Sequence, residues 1–288
     1  MIDLKEIGHL VKSTYHEWIK QKPAILGAAI AFYIIFSLGP IIVITIGIVG
    51  LIFGKQAAEG QIAQELYRIF GQKAAEVIQS FITQAYSPPT RIIATILSIP
   101  TVIFGSAMMF FQLKYTLNMI WDIQPRKKKR FVDTLINYGL SFLMVILLGI
   151  LLIILIIKSL LLAIFSGFIG HFLHFPVYFL NIIDLIITFL VTTILFAMTY
   201  KILPDIHLTW SDVLNGALVT SFMFTIGQLI IGLYISKTDI DTTYGALGSL
   251  TVLLIWIFYS SLIFLVGAVF TKIYSQKNNE KIDSLINQ

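Results

Sequence analysis

Lys114, Asn118 and Asp122 recur four residues apart in an otherwise apolar stretch, with Gln112 and Tyr115 beside them. On a helix that spacing stacks the three side chains on one face. A cation, an amide and a carboxylate in a row can neutralise one another as a structural ladder, or they can line a polar pathway. Ionisable groups inside a membrane are costly and by default point to function. Against that, Lys114 lies only about 12 Å of helix from Asp122, so it can snorkel to the interface. Gln228 and Asp184 are further polar residues in apolar surroundings, and Tyr33 is an aromatic candidate to border the same path. An isolated glutamine suits an interhelical hydrogen bond, and Asp184 sits shallowly in its apolar run.

Other chemistries find little footing. No glycine-rich phosphate loop ending in lysine, no His-Glu-x-x-His helix and no Gly-x-Ser-x-Gly elbow occurs. His171 and His174 could share a helical face, but no nearby acid completes a ligand set, so no metal is expected. Asp239 and Asp241 fall in a short loop and are expected to be solvated, with a cation or head-group contact as the alternative. The chain has no cysteine, which removes disulfides and thiol catalysis. The expectation is a protein that is not an enzyme and needs no cofactor.

The elements that hold these residues are membrane spans. Of 288 residues, 57% are hydrophobic and 12% charged, about half the charge of a soluble domain. Lipid tolerates apolar helix faces provided backbone groups pair internally. Runs of the necessary ~20 residues occur at 24–53, 91–120, 133–157, 177–200, 212–235 and 246–271. The fold class expected is therefore all-α: one polytopic membrane domain, 1–288, with six transmembrane helices. The polar start of the chain argues against a cleavable signal. Leu4, Ile7, Val11, Tyr15 and Trp18 recur at helical spacing among charges, which makes 1–22 an interfacial helix. Residues 55–88 read as amphipathic helices on the other side. The apolar stretch 159–175 is too short and glycine-broken for a clear span; it can be re-entrant, interfacial or an extension of the third helix.

Charge placement orients the bundle. Lys5, Lys12, Lys20 and Lys22 precede the first span; Arg126, Lys127, Lys128, Lys129 and Arg130 follow the second; Lys201 follows the fourth; Lys272, Lys277 and Lys281 follow the sixth. Six spans put all of them on one side, the cytoplasmic one, with both termini inside. The net charge of +5 then reflects topology rather than nucleic acid, and 126–130 is an orientation signal with anionic-lipid contact as its second use. Pro40 and Pro100 interrupt the first two spans and are expected to kink them. Gly245 and Gly248 are expected to allow close helix packing.

With these features in place, the chain resembles the YihY / virulence factor BrkB membrane proteins, once mislabelled ribonuclease BN. The resemblance rests on Ser37-Leu38-Gly39-Pro40 after an aromatic-rich start, Asn118-x-x-Trp121 before a basic loop, Tyr200-x-x-Leu203-Pro204, Gly216, Tyr244-Gly245-x-x-Gly248-Ser249, Trp256 and Gly267. One departure is Gly267-Ala268-Val269, where the family often has Gly-Ala-Glu. The resemblance implies a bacterial inner-membrane protein of six spans. The functions expected are a transporter or flippase for a lipid or amphiphilic substrate, or else a non-catalytic scaffold or assembly factor for envelope biogenesis. Membrane lipids are the expected partners, with a homo-oligomer or an envelope protein as further ones.

Overall fold

The computed structural model describes residues 4–37, 108–123, 177–237 and 248–286, with isolated helical positions between 139 and 161. Among the described residues there are helices and connections and no strand. Pro40, Pro100, Gly245, the basic run Arg126–Arg130 and the amphipathic segment 55–88 lie outside the described residues.

Helix α1, Leu4–Lys20, carries its acid early (Glu6) and its base late (Lys20), each favourable for the helix dipole. Lys22 ends it with φ 51°, donating its N–H to the Ile19 carbonyl at 3.1 Å. The Lys22 carbonyl then accepts from Ile25 and Leu26 at 3.0 and 3.4 Å, so one residue stops α1 and starts α2, Pro23–Ser37. Proline fits that first turn, where its missing N–H has no helical partner. The chain turns by 73° between the two helices.

Helix α3 covers 108–120 and closes in a Schellman arrangement. Asp122 takes φ 56°, its N–H reaches the Met119 carbonyl at 3.0 Å, and the Ile123 N–H reaches Asn118 at 2.9 Å. Helices α4 (Val177–Ile202), α5 (Trp210–Lys237) and α6 (Gly248–Ile286) follow. Thr209 caps α5, its Oγ1 accepting the Asp212 N–H at 3.3 Å. Within these helices, Ile182–Ile202, Trp210–Ile230 and Thr251–Asn278 are long and apolar enough to cross a membrane, and the bent pair α1–α2 makes up to a fourth. The protein is thus a membrane protein, helical throughout the described elements. Ile182, Leu185, Ile186, Leu190 and Ile194 form an exposed apolar stripe on α4, as a lipid-facing helix requires.

Helix α5 packs on both α4 and α6, and α1 packs on α6. The core joins Leu26 and Ile30 of α2, Phe110, Leu113 and Leu117 of α3, Tyr200 of α4, Ala217 of α5 and Leu265 and Val269 of α6. The α5–α6 contact interlocks. A Cβ on Gly216 would stand 1.8 Å from Thr271 Oγ1, and one on Gly267 would stand 1.7 Å from Thr220 Oγ1. Each threonine bonds back to the glycine four residues before it, Thr220 to Gly216 at 2.7 Å and Thr271 to Gly267 at 2.8 Å. The two helices therefore present the same Gly-x-x-x-Thr unit, each threonine filling the other helix's glycine notch. Tyr200 adds a third helix, donating its hydroxyl to the Phe264 carbonyl at 2.8 Å. Helix α6 continues well past the apolar run that ends at 271, because residues there bind α1, α3 and α5.

Candidate functional site

The charged residues gather in clusters at the ends of the helices. The first cluster is built on Asp205, three residues beyond the end of α4. Lys114 Nζ lies 2.6 Å from its Oδ1, and Asn118 Nδ2 donates to its Oδ2 at 3.0 Å. Asp205 also donates its own N–H to Asn118 Oδ1 at 2.9 Å. The i, i+4 spacing of Lys114 and Asn118 on α3 thus converges on one carboxylate, and the two-way Asn118 bond fixes the backbone of the connection 203–209. That connection is held again where Lys201 Nζ donates to the Leu208 carbonyl and lies 5.5 Å above the Trp210 ring.

The third member of the sequence ladder parts from the other two. Asp122, just past α3, accepts from Lys272 Nζ of α6 at 2.6 Å, and Lys272 also donates to Glu17 Oε1 of α1 at 3.1 Å. One buried ammonium therefore ties together three helices. Its hydrogen bond holds the Glu17 carboxyl below the usual carboxylate range, outweighing the burial that would raise it. Lys277 repeats the α1–α6 link, 3.3 Å from Glu6. Asp212, buried in the first turn of α5, accepts from Ser275 Oγ at 3.0 Å and Asn278 Nδ2 at 3.2 Å.

The second lysine–aspartate pair lies at the opposite end of α4. Lys158 Nζ is 2.8 Å from Asp184 Oδ1, with side-chain exposures of 4% and 27%, and 2.9 Å from Thr188 Oγ1. Leu151 and Leu155, on the same helical face as Lys158, pack with Val191, Ile187 and Leu195 of α4. Thr192 continues the polar edge of α4 one turn on, bonding back to the Thr188 carbonyl at 2.9 Å. From Asp184 to the end of α4 at Ile202 is about 27 Å at the helical rise, close to the ~30 Å of bilayer hydrocarbon.

The remaining sequence candidates stand apart from these clusters. Gln112 donates to Thr116 Oγ1 on its own helix at 3.3 Å. Tyr33, half-buried, meets Phe32 edge-on at 5.5 Å. Gln228 is half-buried on α5, one residue beyond Gly227, whose missing Cβ admits the Tyr259 ring. Gly248 opens α6. Among the described residues no three His, Asp or Glu side chains gather as metal ligands. Sequence spacing does not mark Asp205 or Lys272 as site residues: Asp205 is 87 residues from Asn118, and Lys272 falls among the lysines that topology explains. The usable signal is that Asp122, Asp184 and Asp205, all near span ends, each have a lysine partner on another helix.

Similarity to known proteins agrees with the architecture. The chain is 24% identical to a UPF0761 membrane protein of Alcanivorax borkumensis over 84% of its own length and 54% of the relative. It is 25% identical to one of Glaesserella parasuis, over 81% and 79% of the two chains, and 23% identical to one of Aeromonas salmonicida, over 91% and 87%. The chain thus spans about half the length of the first of these relatives and most of the other two. No solved structure matches it. The family model described as virulence factor BrkB matches residues 14–287, and the chain accordingly belongs to the virulence factor BrkB family of membrane proteins.

Proposed function

We propose that the protein moves a lipid or lipid-like amphiphile between the two faces of a bacterial inner membrane, without catalysing a covalent reaction. The observation that carries this reading is the pair of lysine–aspartate clusters at the two ends of α4, Lys158–Asp184 and Lys114–Asp205. They are separated by about one hydrocarbon thickness. A head group that carries charge needs a partner at each interface, and an ion pair supplies one by exchanging its internal contact for the ligand. Asp184 and Asp205 are the exchangeable halves, because each is more exposed than its lysine. In this arrangement the chain has six spans and both termini in the cytoplasm. Asp205 then serves the inner leaflet and Asp184 the outer.

The test is bilayer exchange of a fluorescent phospholipid in vesicles, read by a membrane-impermeant quencher. Wild-type protein should accelerate exchange over protein-free vesicles. Asp184→Asn and Asp205→Asn should each slow it by about tenfold while the protein remains folded. Exchange no faster than in empty vesicles would end the transport reading and leave a scaffold or assembly role as the better account.

A further inference from the structure

The first helix carries a feature that neither the bundle nor the lysine–aspartate clusters use. The residues of α1 divide among three faces. Leu10 and Thr14 are buried against the bundle, with Glu17 and Trp18 half-buried beside them. About a third of a turn away, Val11, Tyr15 and Ile19 are 60%, 61% and 49% exposed. The third face holds His9, Lys12, His16 and Lys20, all exposed.

Charge is sorted across those faces. Glu6 and Glu17, the acids of the described part of α1, point to Lys277 and Lys272 of α6. Lys12 and Lys20 stand on the side away from the bundle, Lys20 keeping a long 3.4 Å contact to Glu17. The bundle thus neutralises the acids of α1 and leaves its outward side positive. The exposed apolar face does not stop at the helix end. It passes the 73° bend and continues on α2 as Ile25, Phe32 and Phe36, 66%, 56% and 60% exposed, with exposed Lys22 at the corner.

We infer that α1 is a binding surface for anionic phospholipid. Val11, Tyr15 and Ile19 enter the acyl boundary, and Lys12, Lys20 and Lys22 meet the phosphodiester head groups. Three observations select this occupant. The apolar stripe of α1 is followed past the bend by the exposed apolar residues Ile25, Phe32 and Phe36 of α2. The bend lays α1 across the direction of that span, in the plane where head groups lie. The rim of the stripe is cationic, which complements anionic lipid and snorkels readily from an apolar bed. Glu17, on the opposite face, stays on Lys272 throughout, so lipid engagement leaves the bundle contact intact. The inference is independent of the transport reading.

The absence of native cysteine makes the test direct. Full-length Val11→Cys and His16→Cys variants carry an environment-sensitive fluorophore in nanodiscs of phosphatidylcholine alone, or with about a third phosphatidylglycerol. The label at 11 should be quenched by nitroxide lipid and shielded from iodide, more strongly in the anionic discs; the label at 16 should remain open to iodide. Lys12→Gln with Lys20→Gln, both on the exposed side, should lower anionic-lipid preference at position 11 by roughly tenfold or more, since each basic residue near such a surface contributes about a fivefold factor. Equal iodide access at 11 and 16 would overturn the inference. So would shielding at 11 that is indifferent to lipid charge and to the lysine substitutions. If that indifferent shielding also rose with copies per disc, the face would belong to a second copy of the chain.

Discussion

Replacing Gly267 by alanine tests the packing on which every cluster depends. The new Cβ would lie 1.7 Å from Thr220 Oγ1, 2.9 Å from Thr220 Cβ and 2.5 Å from Tyr200 OH. A different threonine rotamer moves the oxygen but not the Cβ, and it gives up the 2.7 Å bond to Gly216. Tyr200 can retreat only by abandoning the Phe264 carbonyl. Relief therefore requires α5 and α6 to separate. Overpacking of this kind costs about 1–3 kcal/mol, and the lost buried hydrogen bond adds about 1 kcal/mol. Alanine's better helix propensity returns up to about 1 kcal/mol. The net expectation is a loss of about 1–3 kcal/mol.

Gly8→Ala supplies the internal control. Nothing lies within 4 Å of its Cβ position, so the same chemical change there should stabilise by about 0.5–1 kcal/mol through propensity alone. Equilibrium unfolding in mixed micelles, followed by circular dichroism, measures both. Gly267→Ala combined with Thr220→Gly should lose less than the two single losses summed, since the second change opens the space the first one fills. A Gly267→Ala protein as stable as wild type, or one that Thr220→Gly fails to relieve, would refute the interlocked contact.

Lys272→Met should destabilise by about 1–3 kcal/mol in the same assay, less than for a fully buried pair because Asp122 is 74% exposed and keeps its hydration; the protein should also release α1 to protease. Glu17 sets the pH dependence of that release. Its folded value lies below the ordinary 4.5, so its contribution is complete above 4.5 and disappears as pH falls through the lower folded value; hydrogen exchange in α1 should accelerate there, and in Glu17→Gln it should be faster already at neutral pH. Asn118→Ala removes both bonds to Asp205, and should speed limited proteolysis at 203–209 several-fold with little change in global unfolding.

Run length and periodicity were sufficient for much of the fold. A predominantly apolar run of some twenty residues has few solutions in lipid, so α4 and α5 are readable from residues alone. A 3.6-residue period marks α1 as a helix, but the apolar residues it groups divide: Trp18 packs on the core while Val11 and Tyr15 stay exposed. Pairings over long separations were not readable. Lys114 and Asn118 declare a shared face, yet nothing local indicates that their carboxylate is Asp205 rather than Asp122, which the positive φ past α3 swings toward Lys272. The end of α6 escaped for a related reason. Residues 272–278 are largely polar and lie past the uncharged run, and there Lys272, Ser275, Lys277 and Asn278 find partners on other elements. Gly216 and Gly267 were visible as motif residues. Their role needed the threonine four residues after each of them to be read together with its opposite.

The distribution of these contacts constrains where a polar head group could travel. Between α5 and α6 the backbones touch through glycine notches, with threonine hydroxyls turned back onto their own helices and Tyr200 closing the third side. Opening that seam would break several packed and hydrogen-bonded contacts at once, so it behaves as a rigid spine. The edge of α4 that faces Lys158 is different. Asp184, Thr188 and Thr192 are half-buried at successive turns; Lys158 bonds to the first two, and aliphatic Leu151 and Leu155 pack on the same side of α4. Under the proposed transport, a head group would exchange one polar contact at a time along this edge while its acyl chains follow the exposed stripe of α4. The transport proposed above should therefore depend on substitutions along the Asp184–Thr192 edge. Tyr33→Phe keeps the edge-on contact with Phe32 and should leave that transport unchanged.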